Sequence, residues 1–440
     1  MKNKFRITTI SEISSTDKYS TAMGPFGSNI RKENYRPNGV PVIRGINLKA
    51  ERFIDDEFVY LDSEKANELS RSSAYPEDIV FTAQGGIGQV GIIPKHVKYS
   101  RYILSQNLMK VTCDQRKANP LYIFYYFKSY YGQAEIFKYK NQTGVPCISQ
   151  PLTSLRSFEL PLPPLPTQKR IADILGTLDD KIELNRQMNH TLEAMARAIF
   201  KSWFVDFDPV YSKMEGRDYP LPAEVMDLFP DELVESELGL IPKGWKVKPL
   251  DTICLVTDCL HSKKPKQTET GKLLLQVFNI GEDGRMDFSK KFLISDGDYT
   301  KWISRFEATP GDLIISKTGR VGAIAQITGG MNAALGRNLV GIRVNSKILS
   351  QEYLRDYFLS SWMHVEKAKN TSQGTILQSL HVKHISKFRV LVPSKQVIEN
   401  YSKYVNSIHR KMEINDKEIV VLSKLRDTLL PKLMSGDLQV

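Results

Sequence analysis

The sequence predicts an α+β protein in which two similar mixed α/β domains are separated by two long helices that pair as an antiparallel coiled coil. Three observations predict it. A proline-free stretch over 167–203 carries apolar residues at helical spacing, flanked by Pro161, Pro163, Pro164 and Pro166 before it and Pro209 after it. The same spacing returns over 398–429. The block ahead of each stretch, 1–165 and 242–394, repeats one order of strand and turn signals.

The first stretch sets Leu175, Leu178, Ile182, Asn185, Asn189, Leu192, Ala196 and Ile199 at alternating steps of three and four, the seam of a coiled coil. Near the C-terminus Ile398, Tyr401, Val405, Ile408, Met412, Asn415, Ile419, Leu422, Arg426 and Leu429 follow the same steps. Aligned 230 residues apart, Asn185 falls on Asn415 and Leu192 on Leu422. A buried Asn on such a seam costs stability but fixes register. Each helix could instead pack on its own domain as an ordinary amphipathic helix. The matching polar break favours pairing, antiparallel or nearly so. The expected interface is Leu175, Leu178, Ile182, Asn185, Leu192 and Ile199 against Ile408, Met412, Asn415, Ile419, Leu422 and Leu429. Thirty-odd helical residues span roughly 50 Å.

The chain has 440 residues, enough for two or three domains, and 41% hydrophobic content, enough for real cores. No run approaches a membrane span, and the first twenty residues hold no apolar core of signal-peptide length. Cys113, Cys147, Cys254 and Cys259 form no C-x-x-C pair, so a reducing, cytoplasmic setting is expected. The net charge is +12 and unevenly placed. Residues 1–166 hold 22 basic and 15 acidic residues, and 242–394 hold 23 and 13. Residues 206–241 hold 2 and 10, and the long helices are nearly neutral. A polyanion would therefore touch the two blocks and leave the helices as spacers.

In chain order, 1–165 forms the first domain, beginning with a Gly-rich basic loop over 24–35. Strands are expected over 40–48, within 76–94 and over 106–112, followed by one buried aromatic helix over 119–137. Gly86-Ile-Gly-Gln-Val-Gly91 matches G-x-G-x-x-G, but a β-type run ending at Pro94 follows it where a dinucleotide site needs a helix. A hairpin turn is the better account. Residues 166–205 form the central spacer helix. Residues 206–241, with four prolines and ten acids, form an ordered, loop-rich connector that like charge keeps off a polyanion. Residues 242–394 form the second domain, and 395–440 the C-terminal spacer helix. The second domain repeats the first. Residues 273–280 echo 40–48, 310–324 lie over 76–90, Arg337-Asn-Leu matches Gln106-Asn-Leu, and 388–393 match 158–163. The loop over 261–271 has no close match in 24–35. One scaffold with different loops is what two related readers of different targets would show.

Catalytic signatures are missing from the sequence. It holds no G-x-x-x-x-G-K-[ST], no [DNS]-P-P-[FYW] and no His/Cys cluster at zinc spacing, so no metal site is expected. His381 and His384 have nothing nearby to complete a metal set, and Asp206 and Asp208 read as a helix exit rather than a nuclease pair.

Three segments carry a resemblance. The run LPLPPLPTQKRIADILGTLDDKIELNRQMNHTLEAMARAIFKSWFVDFDPV resembles the central conserved region of the DNA-specificity subunits of type I restriction–modification enzymes. FPDELVESELGLIPKGWKV resembles the start of that family's second target-recognition domain, and KLRDTLLPKLMSGDL its C-terminal conserved region. The resemblance implies a non-catalytic subunit whose two target-recognition domains each read half of a bipartite site in double-stranded DNA. It also implies that the helices dock two modification subunits, which methylate adenine with S-adenosylmethionine, and that restriction subunits using ATP and Mg join them. No cofactor is expected in this chain. A stiff spacer suits half-sites about one turn apart, roughly 34–36 Å centre to centre.

The residues expected at DNA are Ser28, Arg31, Lys32, Tyr35, Arg44, Gln84 and Arg101 in the first domain, and Lys263, Lys264, Lys266, Lys317, Arg320 and Arg337 in the second. Arg and Gln can read G or A edges, while Lys mostly holds phosphate. Two other readings compete. A self-contained methyltransferase or endonuclease needs a cofactor motif, and a coiled-coil scaffold without DNA binding predicts no salt-dependent DNA affinity.

Overall fold

A strand register used twice accounts for most of the architecture. The computed structural model describes residues 5–49, 51–141, 145–281, 284–345, 347–373 and 378–440. Two compact units divide the chain. The first joins Met1–Asn185 to Lys417–Val440, and the second is Arg186–Asp416.

In the first unit, Thr21–Met23, Leu108–Val111, Ile79–Thr82 and Val90–Ile92 lie side by side as an antiparallel sheet. The last two form the hairpin that the glycine-rich turn predicts. A second sheet orders Val59–Leu61, Val40–Ile43, Tyr102–Leu104 and Ser73–Ala74, and its central pair is parallel. The strand expected over 40–48 ends at Ile43 because Asn47, fully buried, accepts the Arg44 N–H at 2.8 Å and turns the chain into a 3₁₀ helix over Gly45–Leu48. The single helix expected over 119–137 is two, Pro120–Lys128 and Tyr130–Lys138. Ser129 is extended at the break, and its hydroxyl donates to Tyr126 O at 2.6 Å. That local bond competes with helical continuation.

The second unit repeats this order. Cys254–Asp258, Leu339–Val344, Leu313–Ser316 and Ile324–Gln326 form the antiparallel sheet. Leu293–Ile294, Lys272–Leu275, Ala333–Leu335 and Glu307–Ala308 form the other, again with a parallel central pair. The duplication reaches single bonds. Asn279 accepts the Gln276 N–H at 2.9 Å as Asn47 accepts that of Arg44. Ser360 breaks Gln351–Leu359 from Ser361–Asn370 and donates to Tyr357 O, as Ser129 does to Tyr126 O. Tyr353 donates to Leu391 O where Tyr122 donates to Pro161 O. Residues 206–241 fold against this unit's core through Val210, Val225, Phe229 and Ile241, with a hairpin of Leu233–Ser236 and Gly239–Pro242. Phe207 leaves the helix in a left-handed conformation, while Lys201 pairs with Asp206 and Ser202 donates to Asp208. Those two carboxylates close a helix end.

Two helices of about forty residues, Leu165–Phe204 and Lys395–Ser435, pack together as an antiparallel pair. Within the first unit, Arg426 donates to Asp179 at 2.8 Å and Asn185 donates to Glu418 at 2.9 Å. Numbers rise on one helix as they fall on the other. Leu175, Ile182 and Asn185 are buried there, and Leu178, Ile419, Leu422 and Leu429 are half-buried. Within the second unit Ile408, Met412 and Asn415 are buried, and Leu192 and Ile199 half-buried. Asn415 meets Asn189 rather than its sequence counterpart Asn185. It donates to Asn189 Oδ1 at 2.8 Å, and Asn189 donates to Asp416 at 2.8 Å.

A buried charge cluster fastens the second unit's helices to its sheet domain. Arg355 donates to Glu193 at 2.8 Å and to His409 Nε2 at 2.6 Å, and lies 3.4 Å from Asp356, which accepts from Tyr401. Burial pushes the Asp356 carboxyl up to about 6 against the pull of Arg355, and burial with Arg355 pushes the His409 imidazole down to about 4.

Two predictions follow from these contacts. Asn189→Leu strands the fully buried Asn415 amide and is expected to lower unfolding stability by about 1–3 kcal/mol. The double change with Asn415→Leu is expected to recover most of it. Equal losses in single and double variants in denaturant unfolding would contradict the pairing. Between about pH 4 and 6 the folded state holds a proton on Asp356 that the unfolded state lacks, and lacks one on His409 that the unfolded state holds. Asp356 therefore lowers stability as pH rises through that window, and His409 raises it. Relative to the parent, His409→Asn should tilt the stability–pH curve downward with rising pH and Asp356→Asn upward. Unchanged slopes in both would refute the opposed titrations.

Candidate nucleic-acid interface

Parallel strands present their carboxyl ends, and the loops that follow, on one side of a sheet, which is where ligands gather in open α/β sheets. Among the described residues each unit has one such pair of parallel strands.

In the second unit the pair ends at Leu275 and Leu335, and the Gly336 N–H just beyond donates to Leu275 O at 2.9 Å. Arg337 follows, and its guanidinium donates through Nε and Nη2 to Ser262 O at 2.9 and 2.5 Å. That bond brings the loop of Lys263, Lys264 and Lys266 to the strand ends. Lys263 and Lys266 are exposed and form no ion pair among the described residues. Lys264 lies over the Phe292 ring at 4.3 Å. The hairpin turn closes the group: the Lys317 N–H donates to Asn338 O at 2.7 Å, and Arg320 donates to Ile280 O. All six basic residues expected at DNA in this unit thus lie on three neighbouring loops.

Lys317 is less available than its neighbours. Its ammonium is nearly buried and donates to Asp258 at 2.5 Å. Asp258 also meets His261 at 2.8 Å. Burial works to raise the Asp258 carboxyl, but the Lys317 and His261 bonds prevail and hold it below its ordinary value. Asp258, Cys259 and His261 bring ligand-type atoms within 4.8 Å of one another. The ammonium of Lys317 already occupies that carboxylate, and burial raises the Cys259 thiol, so the arrangement reads as a loop anchor. Sequence reading misses this anchor because its cation lies 59 positions from its acid.

The first unit has a different loop set. Arg31 and Lys32 are exposed and form no ion pair among the described residues, and Tyr35 is half-buried against Val42 and Leu61. The Ser28 side chain lies outside the described residues. Arg44, at the strand end, donates to Glu57 O at 2.7 Å. Gln84 is exposed in the hairpin turn, where the Ala83 N–H donates to Asn107 O at 2.7 Å, the counterpart of the Lys317 bond. Arg101 stands apart. It precedes Tyr102–Leu104 and so sits at the amino end of that strand, donating to Ser73, Asn67 and Ala66. Its guanidinium ties the sheet to a short helix.

Residues 27–194 match the family model described as the type I restriction modification DNA specificity domain. The type I restriction enzyme HindI specificity subunit of Haemophilus influenzae is 29% identical over 343 residues, covering 65% of this chain and 70% of that relative. The MjaIX specificity subunit of Methanocaldococcus jannaschii is 26% identical over 295 residues, covering 66% of this chain and 62%, under two thirds, of that relative. The crystal structure of a type I restriction-modification system S subunit from M. genitalium superposes with a TM-score of 0.59 at 17% identity, over 98% of this chain and 96% of that one, a likeness of fold.

If the exposed lysines hold phosphate, Lys263→Ala or Lys266→Ala should weaken DNA binding alike for all sequences and flatten the log affinity–log salt slope by about one unit. Fluorescence anisotropy across a salt series checks this. Loss confined to one sequence would count against a phosphate role.

Proposed function

We propose that this chain, whose residues 27–194 match the type I restriction modification DNA specificity domain and which is similar to named specificity subunits, reads a bipartite site in double-stranded DNA, one half with each of its two units, the paired helices setting the gap between the halves. The domains of that reading are 1–165 and 242–394, the spacers 166–205 and 395–440, and the connector 206–241. One observation carries it: the same strand register occurs twice, with a different basic loop set at the carboxyl ends of each parallel pair. A single continuous target would not call for a duplicated scaffold with unlike loops.

The chain supplies recognition and other subunits supply chemistry. Modification subunits bring S-adenosylmethionine, and restriction subunits bring ATP and Mg. Docking of two modification subunits is supported by apolar side chains that the helices leave exposed. In the first unit these are Leu184, Val420, Val421 and Leu425, with Val420 68% exposed, and in the second Met195 and Ile414. Such residues on a charged helix surface fit the proposal of a partner face. No helix among the described residues is long and apolar enough to cross a membrane, and the proposed place of work is the cytoplasm, with the DNA. A self-contained enzyme and a scaffold without DNA binding are not favoured, since the relatives are named as specificity subunits.

Shortening both long helices by one turn, about 5.4 Å, should shorten the recognised gap by one or two base pairs and leave both half-sequences intact. Site selection with the assembled modification complex reads both quantities at once. Altered half-sequences with an unchanged gap would reject the spacer role.

A further inference from the structure

Two equivalent places in the duplicated fold hold side chains of the kind that tell bases apart. The first place directly follows the first strand of each parallel pair. It holds Arg44 in the first unit and Gln276 in the second. The second place lies two residues past the second strand. It holds Gln106 in the first unit and Arg337 in the second. One Arg and one Gln thus occur at each strand-end pair, with their places exchanged between units.

The two places are neighbours within each unit. The Ser105 N–H donates to Ile43 O at 2.9 Å, and the Gly336 N–H donates to Leu275 O at 2.9 Å. A Cβ on Gly336 would lie 2.4 Å from Gln276 Nε2, so the Gln276 amide rests over that glycine, beside Arg337. Ser105 fills this spot in the first unit, and Arg44 turns instead to Glu57 O.

All four side chains keep unused hydrogen-bonding capacity. Arg44 Nε and Gln276 Nε2 are buried donors with no partner among the described residues, at the same place in both repeats. Such a group costs free energy until an acceptor arrives. Gln106 is exposed and its amide has no hydrogen bond among the described residues. Arg337 uses Nε and Nη2 on one carbonyl and leaves Nη1. Paired donors suit guanine O6 and N7 from Arg, and the donor–acceptor amide of Gln suits adenine N6 and N7.

We infer that Arg44 with Gln106, and Gln276 with Arg337, are the base-discriminating pairs of the two units, each reading one guanine and one adenine, in opposite order relative to the fold. This rests on the proposed reading of DNA by both units. The exposed lysines on the loop that Arg337 holds, Lys263 and Lys266, hold phosphate and carry no order.

The test is in vitro selection of bound DNA by the assembled modification complex, comparing the parent with the Arg44→Gln/Gln106→Arg double variant and with Gln106→Arg alone. Gln106 is exposed, so its single variant keeps the fold, which thermal melting verifies. The double variant is expected to exchange a guanine and an adenine position in one half-site, each preference changing roughly tenfold or more, with the other half-site untouched. The single variant is expected to alter one of those positions. A parent that selects no bipartite sequence overturns the proposed function itself. A parent that selects one, with folded variants whose base preferences match it or weaken uniformly, overturns this inference alone.

Discussion

The antiparallel seam between Leu165–Phe204 and Lys395–Ser435 is the constraint on which the rest depends. The first unit joins two separated pieces of chain, and the second, Arg186–Asp416, is one piece whose two ends lie in the two long helices. The core of the first closes only when Leu433 and Met434, near the C-terminus, pack with Ile171, Ala172 and Leu175. The core of the second takes Ala196, Phe200 and Trp203 from the central helix and Tyr401, Val405 and Ile408 from the other. Burial of side chains of this size contributes about 1.5–3 kcal/mol each, so the seam is also a substantial part of each unit's stability. Polar contacts add direction. An Asn189–Asn415 pair fits a single register, and the Arg426–Asp179 bond is made at only one alignment of the helices.

On that frame the duplicated domain separates what is fixed from what varies. Buried Asn47 and Asn279, the breaks at Ser129 and Ser360, and the Tyr122 and Tyr353 hydroxyls recur because they hold the backbone where both units need it. The loops at the strand ends do not recur. One unit anchors a lysine-rich loop through Arg337 and the Asp258–Lys317 pair, and the other carries Arg31 and Lys32 on a different loop. A shared scaffold with unlike loops is the division expected where one framework carries two different surfaces.

Much of this was legible in the sequence, for stated reasons. Steps of three and four reveal a helical seam, and an alternating pattern with glycine turns reveals a hairpin, because both are local. The repeat was legible because the same apolar order returns at a near-constant offset. What escaped was non-local. The break at Ser129 depends on a hydroxyl finding Tyr126 O within an unbroken aromatic run. The Glu193–Arg355–His409 cluster joins residues 162 and 54 positions apart. Arg101 looked like an interface residue by type, but only the strand direction places it at the far end. Gln276 carries no local mark that separates it from other strand-end residues, and only the bond between the paired strand ends sets it beside Arg337.

The central claim is that one chain carries two separate readers at a set spacing. Mapping methylated adenines across the genome of a cell that carries this chain with its modification partners tests it most directly. The account predicts one motif in two parts, with an unspecified gap of constant length between them. A single uninterrupted motif, or two parts at variable spacing, would contradict it.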